Sequence, residues 1–451
     1  MLLSNTNVIN NGKMNINKSV VTVLLVLSLV FVSFQGHRIV KAEPKTIIVP
    51  DDYSTIQDAI GNASEGDTVF VKSGIYSENL TINKSLLLVG EDKETTIVVG
   101  DGNTALLVLH DDVNVTGFTF KRPSTMRWYY GIHLLSVKQC NVFGNILEST
   151  FRGIWLFDAS FNNIYENNCT RNYYGIHLGD SNYNNVSKNW ITHNTGSGIS
   201  TEGSNSNIII DNYIASNGGS GISLDGGKPN SDNLIVENVV TQNGHVGIRI
   251  SSSDSTSNRI VNNNITENGY PDNGSPFAAA ILLYVGGNLI ERNRIIGNQA
   301  GIYIRASCNT TIRWNIIKSN PEVGIHIHSD PTQEALNNII YENNIINNAV
   351  LFSGLQESNK TNIWDLNSRG NYWSSYTGTD NDNDGIGDTP HALGQNNTDN
   401  YPLMDPVDTE IIPEFPSWTP LLIMLIAVMI VTVVVYRHRL HEHSWGEFAV
   451  I

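Results

Sequence analysis

Cysteine is scarce in this chain of 451 residues. Only Cys140, Cys169 and Cys308 are present, with no CxxC or Cys–His spacing, and an odd count gives no disulfide framework. Basic charge is also short: 27 Lys and Arg stand against 43 Asp and Glu, for a net charge of -16. That argues against nucleic acid, whose phosphates call for a basic face, and favours cations or neutral sugars as partners. Long apolar runs occur only near the two ends, at 20–34 and 418–436.

Between those ends one phrase is repeated nine times: Gly-Ile-x-Leu, a polar gap, an Ile or Val, then Asn-x-Ile-x-x-Asn. Copies begin at Gly131, Gly153, Gly175, Gly198, Gly221, Gly247, Ala280, Gly301 and Gly324, in steps of 21 to 26 residues except one of 33. A repeat this short, with β-branched residues at alternate positions, predicts one coil of a parallel β-helix per copy. Three apolar columns run in register, from Ile132 to Ile325, Val142 to Ile340 and Leu147 to Ile345. Stacked strands hold like residues about 4.8 Å apart, so each column fills one interior wall. No coil buries such a stripe alone, and stability has to come from neighbours. Two asparagine columns run beside them, Asn167 to Asn343 and Asn172 to Asn348. Asparagine tolerates left-handed backbone and stacked amides bond along a column, so both read as turn ladders rather than a site. The expected fold is all-β, a parallel β-helix of about a dozen coils, right-handed by the crossover rule.

The rest of the chain divides around this body. Residues 1–42 read as a signal peptide, with Lys13 and Lys18 before the apolar run and Val40-Lys41-Ala42 before Glu43. Residues 43–130 supply an N-terminal cap and the first coils: a strand at 46–50, then a helix over 51–63, capped by Asp51 or Asp52, that covers the open end of the solenoid. Regular repeats occupy 131–350, and a C-terminal cap with an Asp-rich loop occupies 351–405. A linker at 406–417 leads to a transmembrane helix at 418–436, about 28 Å long. The tail 437–451 opens with Arg437, His438 and Arg439, which places it in the cytoplasm and the β-helix outside. Sequons such as Asn79-Leu80-Thr81 and Asn185-Val186-Ser187 are candidate glycosylation sites on the exported part.

Side chains alternate on a strand, so if each isoleucine after the glycine points inward, its successor points out. That outward column reads His133, Trp155, His177, Ser200, Ser223, Arg249, Leu282, Tyr303 and His326. Two residues further on it reads Leu135, Phe157, Gly179, Glu202, Asp225, Ser251, Tyr284, Arg305 and His328. Sugar rings ask for aromatic faces beside hydroxyl acceptors, which makes Trp155, Phe157, His177, Tyr284 and Tyr303 the candidate glycan-binding residues. Glu202 and Asp225 fall on neighbouring coils about 5 Å apart, with Arg249 one coil on. Such a trio is the candidate catalytic set, as acid and nucleophile or as a Ca²⁺ holder for elimination. His326 and His328 share a face about 6.5–7 Å apart, within reach of one metal ion such as copper, which would want further ligands. Asp380-x-Asp382-x-Asp384-Gly385-x-x-Asp388 repeats the opening of an EF-hand loop without its closing glutamate, and reads as a structural Ca²⁺ site.

Family resemblance adds to this reading. Thr55-Ile56-Gln57-Asp58-Ala59-Ile60, Gly66-Asp67-Thr68 and Gly74-Ile75-Tyr76-Ser77-Glu78 are similar to the opening of carbohydrate-binding and sugar-hydrolysing β-helix proteins. Gly370-Asn371-Tyr372-Trp373-Ser374-Ser375-Tyr376, Asp384-Gly385-Ile386-Gly387-Asp388 and Asp399-Asn400-Tyr401-Pro402 resemble the closing module of NosD-type proteins. The resemblance implies export, a pectate-lyase-like solenoid and, for NosD, copper delivery to nitrous oxide reductase. The catalytic motifs of the sugar enzymes are not matched. Asn397-Thr398-Asp399 mimics a polygalacturonase fragment outside the repeats, and Arg122-Pro123 stands without the partners of the pectate lyase motif. Ile412-Pro413-Glu414-Phe415-Pro416 resembles archaeal sorting signals of the PEF type, although fifteen residues trail the apolar span. The expectation is a membrane-anchored, non-catalytic binder of polysaccharide or glycoprotein glycans. The alternatives are a copper-binding protein and a polysaccharide lyase or glycoside hydrolase.

Overall fold

The computed structural model describes residues 43–100, 102–122, 129–269, 278–329, 335–355, 362–394 and 397–408. The expected signal segment 1–42, the apolar span 418–436 and the tail 437–451 lie outside these residues. Among the described residues no helix is long and apolar enough to cross a membrane. The chain divides into a unit of residues 1–44 and one of residues 45–451, and the second carries every strand and helix described below.

Each repeat lays down three short strands, and equivalent strands of successive repeats pair in parallel. The result is a solenoid with sheets of 13, 12 and 13 strands, and a separate antiparallel hairpin of His391–Gly394 with Asn397–Asp399. The registers Ile132↔Ile154↔Ile176↔Ile199, Val142↔Ile164↔Val186 and Leu147↔Cys169↔Ile191 match the three columns. Ile154, Ile164 and Cys169 in these columns are fully buried. Burial drives the Cys169 thiol above its ordinary range, so it serves as an inert core residue.

The corners explain the asparagines, with one change to the expectation. Glu166, Lys188 and Asp211, each just before a ladder asparagine, carry the left-handed backbone (φ 56, 54 and 56). The asparagine itself turns its amide inward. Asn167 Nδ2 donates to Tyr165 O across the corner (3.0 Å), to Val142 O on the coil before (2.8 Å) and to Asn189 Oδ1 on the coil after (3.1 Å). Asn172 and Asn194 repeat this at the second corner, and a third ladder through Asn162, Asn184, Asn207 and Asn233 runs at the remaining corner. All three ladders are buried, so their amides satisfy backbone that the turns would leave unpaired.

The N-terminal helix spans Ile56–Asn62, shorter than the sequence suggests, and its cap is Thr55 rather than Asp51 or Asp52. Asp52 instead accepts from Ile48 N (2.7 Å), while the Glu78 carboxylate takes the free N–H groups of Ile56 and Gln57 (3.0 and 2.9 Å). A carboxylate there is favoured by the helix dipole as well as by the bonds. Ile56, Ala59 and Ile60 pack onto the end of the core. At the other end Trp364 and Trp373 close it, with ring nitrogens bonded to Asn397 and Asp399 (both 2.8 Å). The Asn-Thr-Asp fragment is thus part of the structural cap.

Candidate functional site

The outer face of the twelve-stranded sheet is where the repeat stops repeating. In the strands Arg152–Phe157, Tyr174–Gly179, Ile199–Glu202, Ile222–Leu224, Ile248–Ile250 and Ile281–Leu283 the first inward residue is always isoleucine, whereas the outward ones change from coil to coil. Along one register line stand His177, Ser200, Ser223 and Arg249. Two small residues between two large ones leave a trench, three steps or about 14 Å from wall to wall. An open cleft of about 570 Å³ lies there, lined by Arg152, Tyr174, His177, Ser200, Glu202, Asp225, Gly226, Arg249, Ser251 and Tyr284. Because its walls lie on different coils, the trench runs parallel to the strands.

One wall is aromatic. His133 stacks on Trp155 (3.9 Å between centroids, 10°), the Arg152 guanidinium lies 4.4 Å from the Trp155 ring centre, and Tyr174 leans on His177 (5.4 Å). His177 is 8% exposed, and burial beside Arg152 pushes its imidazole down to about 3. His133 is pushed to about 4 by the same two causes, burial first. Burial pushes the Tyr174 phenol up to about 12. His177 and Tyr174 are therefore neutral hydrogen-bonding groups at ordinary pH. The opposite wall is Arg249, whose guanidinium lies 5.7 Å from the ring centre of Tyr284; Arg305 lies 5.6 Å from the same ring.

The two carboxylates sit at one end of the trench and differ in state. Asp225 accepts from the Ser223 hydroxyl (2.8 Å) and more weakly from that of Ser200 (3.5 Å). Glu202 is exposed beneath the loop that follows Asp225, and Gly227 N approaches its Oε1 at 3.4 Å. The loop can pass so close because Gly226 adopts φ 98 and has no Cβ; one would meet the Glu202 side chain at 2.5 Å. Lys228 clamps the loop to Asp180 (2.7 Å).

The buried side-chain polar atoms without a hydrogen-bond partner among the described residues are concentrated here. His133 Nε2, Arg152 Nε, Trp155 Nε1, His177 Nδ1 and Arg249 Nε lie on this face, beside Asn168 Oδ1, Thr201 Oγ1 and Asn264 Oδ1 elsewhere. Desolvated polar groups left unpaired are costly, and in a folded protein they mark places where a ligand or water completes the structure.

The structure gathers Glu202, Asp225, Arg249, His177 and Tyr284 around one cleft. It places Trp155 behind the wall, under Arg152. Phe157 stands 39% exposed near Gly179, outside the cleft lining, and Tyr303 leans on His326 at a tilt (4.3 Å between centroids), also outside it. Leu282, expected to face outward, is 3% exposed, in a stretch where Ala279, Ala300, Val323 and Tyr303 make a second small apolar cluster. Sequence reasoning missed Arg152 and Tyr174. Their signal was the residue before the repeat glycine, Tyr130, Arg152 and Tyr174 in three consecutive copies.

The metal candidates fare differently. His326 and His328 have ring centroids 6.2 Å apart, and His326 Nδ1 is held by the Ser353 hydroxyl (2.5 Å). Among the described residues, no group of three or more His, Cys, Asp or Glu ligand atoms within 4.8 Å of one another includes a histidine or a cysteine. Asp380, Asp382 and Asp384 do form such a group, and Asp384, foremost among the causes, raises the Asp382 carboxyl. Asp388 turns instead to Asn381, accepting from its N and Nδ2 (2.8 and 2.6 Å).

Comparison with known proteins gives a family and a fold. The family described as periplasmic copper-binding protein (NosD) matches residues 60–231 and 229–378. A cell surface glycoprotein of Methanothermus fervidus is 29% identical over 134 residues, which is 29% of this chain and 22% of that protein. The chain thus spans about a fifth of that relative's length. Among solved structures, the catalytic domain of an alpha-1,3-glucanase in complex with tetrasaccharides is similar at TM-score 0.51 and 15% identity, covering 72% of this chain and 70% of that one. The A-module of a mannuronan C-5 epimerase from Azotobacter vinelandii gives TM-score 0.49 at 15% identity, covering 68% and 91%. The glucanase likeness shows the fold, a parallel β-solenoid of the right-handed type.

Proposed function

The chain belongs to the NosD family, and from that premise we propose that it is an exported surface protein whose β-helix binds one polysaccharide strand in the trench between His177 and Arg249. The observation that carries this reading is the trench itself. A sugar chain lying parallel to the strands meets ring faces at Tyr174 and Tyr284, and hydroxyls and carboxylates at Ser200, Ser223, Glu202 and Asp225. Apolar faces beside hydroxyl acceptors are the two things a pyranose surface requires.

Binding rather than turnover is the reading we favour. The Ser200 and Ser223 hydroxyls already occupy Asp225, which is a poor start for a nucleophile. Export and anchoring rest on the sequence segments 1–42 and 418–436. The partial likeness to a cell surface glycoprotein supports the same placement.

The test is a glycan array probed with the full chain and with Tyr174→Ala and Tyr284→Ala. Retention of at least one polysaccharide class is expected, weakened about tenfold by each substitution, the value of one aromatic contact. An array that retains nothing would end the proposal. Release of reducing ends on incubation would replace binding by hydrolysis.

A further inference from the structure

We propose that the strand held in this trench is an acidic polysaccharide, with anionic substituents, carboxylate or sulfate, seated on Arg249 and Arg152. This rests on the glycan-binding reading above and names its substrate class. The two arginines stand at opposite walls of the same cleft. Among the described residues Arg249 makes no hydrogen bond or ion pair; Tyr284 covers one face of its guanidinium, and its Nε is cut off from solvent without a partner. Arg152 lies on Trp155, Phe151 and Tyr130 and donates to the Tyr130 hydroxyl, with its Nε buried and unpaired. A guanidinium that is flanked by rings and stripped of water at Nε offers its terminal nitrogens as a fork for an anionic group.

The acids of the cleft make no ion pair with either arginine among the described residues. Asp225 is engaged by two serines, and Glu202, whose charge reaches Arg152, lies under the Gly226–Lys228 turn at one end. His177, buried with Nδ1 unpartnered, adds a neutral donor or acceptor between the walls. Elsewhere the basic side chains recorded near carboxylates are paired with them, as in Lys72–Asp51, Arg171–Glu148, Arg313–Glu291 and Arg369–Glu342. Arg249, without a hydrogen bond or ion pair among the described residues, and Arg152, bonded to the Tyr130 phenol rather than to a carboxylate, form a local cationic seat in a chain of net charge -16 that otherwise repels polyanions.

Affinity electrophoresis of the full chain decides the matter, in gels containing polygalacturonate, dextran sulfate or neutral dextran. Retardation by polygalacturonate, by dextran sulfate or by both is expected, and the arm that responds identifies the anion. Neutral dextran should not retard the protein. Retention should fall at least tenfold in Arg249→Gln, recover in part in Arg249→Lys, fall again in Arg152→Gln, and weaken as NaCl rises. Thermal melts of each variant check folding; where Arg249→Gln melts early, the lysine variant and the salt dependence of the native chain carry the decision. If neither polyanion retards the protein while the array retains a neutral glycan sensitive to Tyr284→Ala, acidity falls and the glycan-binding reading stands. Polyanion binding unchanged in Arg249→Gln and Arg152→Gln would also overturn the inference, because the contact would lie elsewhere. An array that retains nothing, with no retardation in any gel, removes both.

Discussion

The same strands present two histories, one on each face. Inside, the position after the repeat glycine is isoleucine in all nine copies, and every one is fully buried. Outside, the next position runs through His, Trp, His, Ser, Ser, Arg, Leu, Tyr and His. The interior answers to a single steric demand renewed at every coil, so one residue type solves it throughout. The outer face receives no such instruction from the fold. Its variation is therefore informative, and the informative part is the change from bulky to small to bulky that opens the trench.

The sharpest way to break this contrast is to damage one rung of the regular part. Asn238 donates to Asn263 Oδ1, Ile209 O and Val236 O (3.0, 2.8 and 2.9 Å) and accepts from Asn212 (N at 3.0 Å, Nδ2 at 2.9 Å). Asn238→Ala leaves buried groups on three coils unpaired, at a cost of about 3–5 kcal/mol. Arg249→Gln, on the variable face, should cost within about 1 kcal/mol while removing binding. Urea unfolding of both variants checks the pair. Equal destabilisation would mean that the outer face is as much a part of the scaffold as the ladders.

The second contrast is in pH, between the trench wall and the C-terminal cap. His177 and His133 are held below their ordinary value, at about 3 and about 4, so the folded state prefers them neutral. Their contribution is present above the unfolded value of about 6.5 and is lost as pH falls towards the folded values. Asp399 is the reverse case. Burial raises it to about 6 against the hydrogen bonds of Trp373 and Asn371, so its contribution is full below about 4 and is lost as pH rises through about 6. Acidification to pH 4.5 should weaken the coils around the trench by about 5 kcal/mol, shared between the two histidines, and a move to pH 7.5 should weaken the cap by about 3 kcal/mol. Hydrogen exchange corrected for intrinsic rate, read at residues 133–177 and at 364–403, separates the two. His177→Gln should halve the first dependence and the double variant with His133→Gln should flatten it, as Asp399→Asn should flatten the second; a single dependence shared by both regions would contradict the assignment.

How much of this was legible in the chain follows from the same difference. The apolar columns and two ladders were plain because one constraint selects one residue type. The third ladder was equally available in the doublets Asn162-Asn163 and Asn184-Asn185, but it lay too near the start of the strand column to be separated from it. Arg152 and Tyr174 were missed for a geometric reason. Strict alternation assigns the residue before the glycine to the same phase as the isoleucine, yet Arg152 pairs with Tyr174 and Ile154 with Ile176 while no partner is recorded for Gly153. The strand slips phase at the glycine, where a Cβ on Gly175 would meet Gly198 O at 2.6 Å. Residues three apart then share the outer face, and alternation counted from the isoleucine cannot see that. The register of these coils was legible as far as Thr201↔Leu224; the engagement of Asp225 by serines depends on side-chain angles that no column shows.

The smallest effect concerns the Asp-rich loop, the one regular-looking motif that belongs to neither face. Its carboxylates at 380, 382 and 384 lie within 4.8 Å of one another and are exposed or half-buried, and backbone N–H groups of Asp384, Gly385 and Ile386 already take part of their acceptor capacity. Calcium binding here would compete with those bonds and relieve the repulsion that raises Asp382. The expected gain at tenfold excess over the dissociation constant is about 1.4 kcal/mol, local to the cap. Melting the full chain with calcium and with EDTA measures it, with Asp382→Asn as the control, since loss of one charge should remove the calcium response and also part of the repulsion in its absence. A stabilisation by calcium that survives Asp382→Asn would place the ion elsewhere on the acidic surface, and no response would leave the loop as a turn closed by its own backbone.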